Sequence, residues 1–189
     1  MPVPLINHAT AEPQTLDEIR DWHRGIVDAL VDQRTSVQHA IRTGSAIAWR
    51  FLGMTEADVD AHYDVQRREL DRLTALNLVA SAEAAIKVDY FRRVGGKLKD
   101  PLARAYRKFH STLSAKKQLR PDFDADGILK VLKKAHVMDN HIVGQYRECL
   151  RARHWLGHGR YWEKPAAVDL LDPDDVYDRA SALLQALPT

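Results

Sequence analysis

The chain contains little cysteine, little net charge and no long hydrophobic run. Its 189 residues include one cysteine, Cys149, which excludes an internal disulfide framework and favours a reducing compartment. The formal net charge of +2 is too small for a protein that coats nucleic acid through bulk electrostatics. No apolar stretch has the length of a secretory signal or a membrane span, so we expect a cytoplasmic protein.

Strand-like alternation, internal repeats and low-complexity tracts are also absent, and helical periodicity is present instead. Thr15 followed by Glu18 has the spacing of a capping box, and Gly44 is a suitable stop for the first long helix. Thr55 with Asp58 opens a second helical region that should end near residues 95–96. The pattern leaves open whether this region is one helix or two. These features predict an all-α fold.

The apolar positions after Thr55 form one predicted stripe: Leu70, Leu73, Leu76, Ala80, Ala84, Val88 and Phe91. Asp100 and Pro101 predict the start of a third helix that reaches about Lys116, followed by a loop over residues 114–126. Residues 128–156 have another helical face, with a break expected near residues 138–140. A final amphipathic helix is predicted from its spaced apolar residues, Val176, Ala180, Leu183, Leu184 and Leu187.

Length and composition fit one substantial core. Residues 1–14 contain three prolines and no periodic pattern, and they predict a flexible N-terminal arm. Residues 15–54 are then an N-terminal helical extension, and residues 55–189 form the main helical domain.

The segment with the clearest chemistry lies near the end of the chain, where Arg153 and His158 are separated by four residues and Gly157 and Gly159 flank the histidine. Arginine is a permanent planar cation that binds phosphate in a bidentate manner, and histidine changes its charge near neutral pH. The combination points to phosphate chemistry. The alternative is a solvated set of cations favoured by the dipole at a helix end.

This segment resembles the signature of the HEPN superfamily, which is an arginine, a polar residue, two or more variable residues and a histidine. The resemblance covers residues 70–187 and is to ribonuclease or toxin-like HEPN domains, with the RiboL-PSP type as the candidate subgroup. It implies an antiparallel helical bundle and metal-independent RNA cleavage without a cofactor, as in toxins or defence effectors. It also implies RNA as a partner, a homodimer with a shared cleft, and an antitoxin or regulatory protein as a further partner.

The resemblance also implies roles for individual residues. His158 would act as base or acid, Arg153 would hold the phosphate, and His154 would assist. Glu83, on the earlier helix, would orient the Arg153 guanidinium, although Lys87 at i+4 offers it an ordinary surface ion pair instead. The predicted RNA-binding residues around the motif are Arg147, Arg160 and Tyr161.

Residues five apart on a continuous helix lie about 140° from each other around the axis, so Arg153 and His158 would not share a face. We therefore predict that the helix ends or bends at Gly157, in a left-handed turn that returns the His158 ring toward Arg153. A metal site formed by Cys149, His154 and His158 is a competing hypothesis. Another alternative is a non-catalytic dimer that binds RNA, a nucleotide or a protein. In the catalytic dimer and in the non-catalytic one, the apolar stripes of the last two helical regions would supply the contact surface between the two chains.

Overall fold

The structure is a computed structural model that describes residues 14–96, 98–124, 126–135, 138–158, 163 and 172–188. Within these ranges it is helical, with no β-strand and with one short 3-10 turn at Trp49–Phe51. No helix among these residues combines the length and apolar character needed to cross a bilayer. The seven α-helices in the described part are α1 Leu16–Thr43, α2 Glu56–Gly95, α3 Pro101–Thr112, α4 Ala115–Leu119, α5 Ile128–Lys134, α6 Asn140–Gly157 and α7 Pro173–Gln185.

The helix starts predicted from capping residues are confirmed. Thr15 and Thr55 each form a reciprocal capping box, with Glu18 and Asp58 as the returning carboxylates. Gly44 ends α1 in the left-handed conformation, with φ of 66°. The side chain of Asp100 accepts a hydrogen bond from the backbone of Ala103 and so caps α3, as expected.

One boundary differs from the predictions, one short helix was not predicted, and one open point is settled. α2 is a single helix of 40 residues, about 60 Å long. α3 ends at Thr112 rather than near residue 116, and the predicted loop contains the short helix α4. The expected break near residues 138–140 is present, because Asp139 caps the start of α6. Residues 1–13 of the predicted arm lie outside the described residues, while the carbonyl of Gln14 accepts a hydrogen bond from Ser81.

The buried face of α2 is not the predicted one. Leu73 and Val88, which belong to the predicted stripe, are 53% and 36% exposed, and Ala80 is exposed as well. The buried face lies on the other side of the helix and consists of Ala75, Leu78, Val79, Ala82, Ile86 and Tyr90. Both sides of α2 are apolar here, so periodicity found a stripe but did not identify which side meets the other helices.

The core has two parts, and α2 runs through both. The main cluster joins α1, α2, α3, α5, α6 and α7, and it includes Leu16 and Ile19 from the first turn of α1. The second cluster, around Phe51, Val59 and Tyr63, draws its residues from α1, the turn after it and the start of α2. α1 and α2 are antiparallel, as their side-chain pairs show: His23–Asp71, Arg34–Asp60 and Arg42–Glu56.

Exposed apolar side chains concentrate on this α1–α2 hairpin. The expectation that the last two helical regions would carry the spare apolar surface is wrong for their described residues, because no large hydrophobic side chain of α6 or α7 is exposed there. The large apolar side chains of both helices pack inside the protein instead. The exposed set on the hairpin comprises Trp22, Ile26, Val31, Trp49, Leu52, Val65 and Leu73.

Candidate active site

The site residues predicted from sequence lie mainly on α6, whose two faces differ in character. One face is buried against the core through Val143, Tyr146, Cys149 and Leu150. The Tyr146 hydroxyl donates to the carbonyl of Val79 at 2.8 Å, which fixes α6 against α2. Burial raises the pKa of Tyr146 well above its usual value, and Glu83 adds to the rise. This tyrosine is therefore a neutral structural contact beneath the site.

The end of α6 is where the sequence placed it, but its geometry differs from the prediction. The helix ends at Gly157, and His158 is its C-cap with φ of −101°. Among the described glycines only Gly44 and Gly53 have positive φ, so Gly157 forms no left-handed turn. The His158 amide donates to the carbonyl of His154 at 3.1 Å, and the His158 ring stays on the His154 side of the helix.

The two histidine rings stack on each other. Their centroids are 5.9 Å apart and their planes differ by 1°. This follows from their i, i+4 spacing, which places them about 40° apart around the helix. His154 thus lies between Arg153 and His158, and the three side chains cover one broad sector of the last turns of α6.

Arg153 contacts the carboxylate that the sequence assigned to it. Arg153 Nη2 is 3.6 Å from Glu83 Oε2, while Lys87 Nζ is 2.5 Å from Glu83 Oε1. Both proposed partners of Glu83 are therefore present at once. The Glu83 side chain is 13% exposed, and that of Arg153 is 35% exposed. The carboxylate is fixed between two cations, and the guanidinium keeps an open side toward solvent.

Two surface cavities meet at Arg153 and His154. The first, about 550 Å³, is lined by the four residues Arg153, His154, Gly157 and His158 of the α6 end and by part of α2, namely Leu76, Asn77 and Ala80. The second, about 460 Å³, also contains Glu83 and Lys87 and is closed by residues 121–124. Arg153 and His158 thus open on one space despite their angular separation on the helix.

The competing metal hypothesis does not match the geometry. Cys149 is fully buried on the core side of α6, where its thiol contacts the carbonyl of Gln145, whereas His158 is on the exposed side. Burial raises the pKa of the Cys149 thiol to about 11, so it is protonated at neutral pH. The described residues contain no group of three or more His, Cys, Asp or Glu side chains that could hold a metal ion.

Of the three predicted RNA-binding residues, the structure describes one. Arg147 is on α6, 3.7 Å from Asp124, and it lines a separate cavity nearer the start of the helix. Arg160 and Tyr161 lie outside the described residues. The structure adds Asn77 to the lining of the first cavity; its polar side chain on an otherwise apolar stretch of α2 is the one sequence feature that could have indicated it.

No protein-family model matches the chain, and neither the curated proteins nor the solved structures include a significant match. The likeness to the HEPN superfamily therefore depends on the residues quoted above.

Proposed function

We propose that the protein is a metal-independent endoribonuclease of HEPN type that cleaves RNA by transesterification. The observation that supports this most is the cavity on which Arg153, His154 and His158 all open, with Glu83 bound to the Arg153 guanidinium. Arginine supplies paired donors for phosphate oxygens, and the carboxylate behind it limits its orientation.

The proposed reaction needs one base, one acid and one cation. A neutral histidine removes the proton of the 2′-hydroxyl, and the 2′-oxygen attacks phosphorus while the bond from phosphorus to the 5′-oxygen breaks. A protonated histidine gives its proton to the departing 5′-oxygen. Arg153 stabilises the negative charge that grows on the non-bridging oxygens. The products are a 2′,3′-cyclic phosphate and a 5′-hydroxyl, and no redox change or metal ion is required.

The proposal includes pairing of two chains. His154 and His158 are stacked on the same side of one helix end, whereas in-line attack needs the acid and the base on opposite sides of the phosphate. A second copy related by two-fold symmetry would supply the opposite histidine. Apolar surface is available beside the site: Trp22 is 50% exposed, and it shares a small cavity with Asn77, which also lines the site.

The first experiment is cleavage of total RNA in excess chelator, followed by analysis of the product ends. We expect activity to persist and the ends to be cyclic phosphate and 5′-hydroxyl. Arg153→Ala and His158→Ala should each reduce the rate about 10²- to 10⁴-fold, with matching loss of growth inhibition on expression. Glu83→Gln should reduce it about tenfold or more, because the guanidinium loses its charged partner.

Matched controls are exposed residues of the same types away from the site, Arg104 and His39. Their alanine variants should cleave like the wild type. Activity that disappears in chelator and returns with one specific divalent metal would contradict the mechanism. RNA binding without cleavage under any condition would favour the non-catalytic alternative.

Pairing is tested by mass and by mixing. Light scattering should give twice the chain mass. Wild-type chains refolded with an excess of His158→Ala chains should lose activity per wild-type chain, because a mixed dimer lacks one of the two histidines that act on one phosphate. A monomer that cleaves RNA would refute the shared-cleft model.

A further inference from the structure

A third cavity, with a strongly basic lining, lies between α5 and the first half of α6. Its volume is about 450 Å³, and its floor is formed by Leu129 and Val143. Four of its lining residues are cations, and none is acidic: Lys130, Lys133, Lys134 and Arg147. The three lysines lie at i, i+3 and i+4 on α5, so they share one face of that helix.

The positive charge of this cavity is only partly neutralised. Lys130 is paired with Asp126 at 2.6 Å, and Arg147 is 3.7 Å from Asp124. Lys133 and Lys134 are exposed and have no carboxylate within ion-pair distance in the part of the chain that the structure describes. The lining therefore has an excess of hydrogen-bond donors and positive charge, which suits an anion.

The basic cavity and the two histidines of the candidate active site lie on one side of α6, and Arg153 lies about 100° around the helix axis from His154. Asn140, Arg147, Arg151, His154 and His158 fall within a sector of about 60° around the helix axis, because their spacing is close to whole turns. They extend over about 27 Å at 1.5 Å per residue. No acidic residue belongs to this row. A row of this length with a phosphate site at one end fits an extended polyanion rather than a single phosphate.

We propose that the cavity of Lys130, Lys133, Lys134 and Arg147 is a remote backbone-binding subsite for single-stranded RNA. The phosphates of the bound RNA lie along α6, while the scissile phosphate is at Arg153 and His158. The choice of RNA as the anion rests on the proposed function, because the row ends in that site. Lysine and arginine contacts to phosphate carry no sequence information, so the subsite adds affinity and a minimum substrate length without base preference.

The test measures binding of fluorescein-labelled 2′-O-methyl oligouridylates, which lack the attacking hydroxyl and stay intact whatever the protein does. The series runs from a dinucleotide to a dodecanucleotide, and the full-length wild-type chain is compared with Lys133→Gln/Lys134→Gln. We expect the double variant to bind the dodecamer about tenfold more weakly at low salt, and its salt slope to fall by about 1.4, or 0.7 per lost contact. Dinucleotide binding should not change.

The control pair is Lys99→Gln/Lys108→Gln, which removes the same charge from exposed lysines that do not line the cavity. It should retain wild-type affinity at every length. Lys130→Gln, a single change in the cavity, should give an intermediate loss. Circular dichroism melts should match for all variants, because each altered lysine is exposed.

Several outcomes would overturn the inference: no binding by the wild type, equal losses in the cavity and control pairs, or a loss that does not grow with oligomer length. These outcomes leave the cleavage experiments on Arg153 and His158 unaffected. Conversely, length-dependent binding through the cavity in a chain that never cleaves RNA would support the subsite and refute the proposed activity.

Discussion

Two arginines bound to carboxylates of α2 have opposite environments. Arg93 has a side chain that is 1% exposed, and it contacts Asp89 at 2.7 Å, Asp100 at 3.0 Å and the carbonyl of Pro188. Arg153 has a side chain that is 35% exposed, and its Glu83 partner is 3.6 Å away. The first guanidinium has its donors occupied by the protein, and the second keeps an open side at a cavity.

The difference separates a structural cation from one that can bind a ligand. The Arg93 cluster joins the end of α2, the start of α3 and the chain after α7, because its three acceptors come from those segments. Removing one member of a buried ion pair leaves the other charge desolvated, which is far more costly than losing an exposed pair. Arginine therefore stabilises the fold at one end of α2, where Arg93 lies. Near the middle of that helix, Arg153 keeps donors that can bind a ligand.

The largest expected effect comes from comparing Arg93→Met with Arg153→Met. Arg93→Met leaves Asp100 without its cation and Asp89 with Arg92 alone, and it should lower the free energy of unfolding by about 3–5 kcal/mol. Arg153→Met removes a longer, partly exposed pair and should cost less than about 1 kcal/mol. Urea unfolding followed by circular dichroism measures both. If Arg93→Met does not fold, Arg93→Lys should fold with reduced stability. Equal losses of unfolding free energy at Arg93 and Arg153 would contradict the distinction between a structural and a ligand-binding arginine.

A smaller effect is expected for the pH dependence of stability at Asp100. Burial by itself would raise the pKa of Asp100, but the hydrogen bond from Ala103 and the charge of Arg93 outweigh it and lower the pKa below its ordinary value of 3.8. A lowered pKa in the folded state means that the carboxylate stabilises the fold above the unfolded value. This contribution is lost as pH falls through the folded value.

Asp100→Asn tests this contribution, because asparagine caps a helix as well as aspartate does but lacks the charge facing Arg93. Above about pH 4 the variant should be less stable than the wild type by about 1–2 kcal/mol. The two stability curves should converge as the pH is lowered toward 2. Parallel curves over the whole range would show that the charge of Asp100 adds nothing to the Arg93 cluster.

The smallest effect is expected for the reaction of Cys149 with a thiol reagent. This reaction tests whether solvent access to α6 is confined to the face around Arg153. The Cys149 thiol is buried and its pKa is raised to about 11, so the native protein has little thiolate at pH 8. We expect almost no reaction with a thiol reagent until urea unfolds the chain, and full reaction afterwards. Rapid labelling of the native chain would mean that the core side of α6 opens as well.

The local signals in the sequence were sufficient for most helix boundaries. These signals are short-range features: threonine followed three residues later by a carboxylate, aspartate before proline, and glycine after a long apolar pattern. Their hydrogen bonds form within one turn, so Thr15, Thr55, Asp100 and Gly44 behave as expected. α4 was missed because a helix of 5 residues leaves too short a pattern to detect.

The sequence by itself determined that the chain is helical, where its long helices begin, and which residue types could act on phosphate. Only the tertiary structure decided which side of α2 is buried, that Glu83 lies between Lys87 and Arg153, and that Arg153 and His158 open on one cavity without a glycine turn. Capping depends on neighbours in the chain. Burial and ion pairing across α2 and α6 depend on residues about 70 positions apart, such as Glu83 and Arg153, whose proximity no local pattern contains.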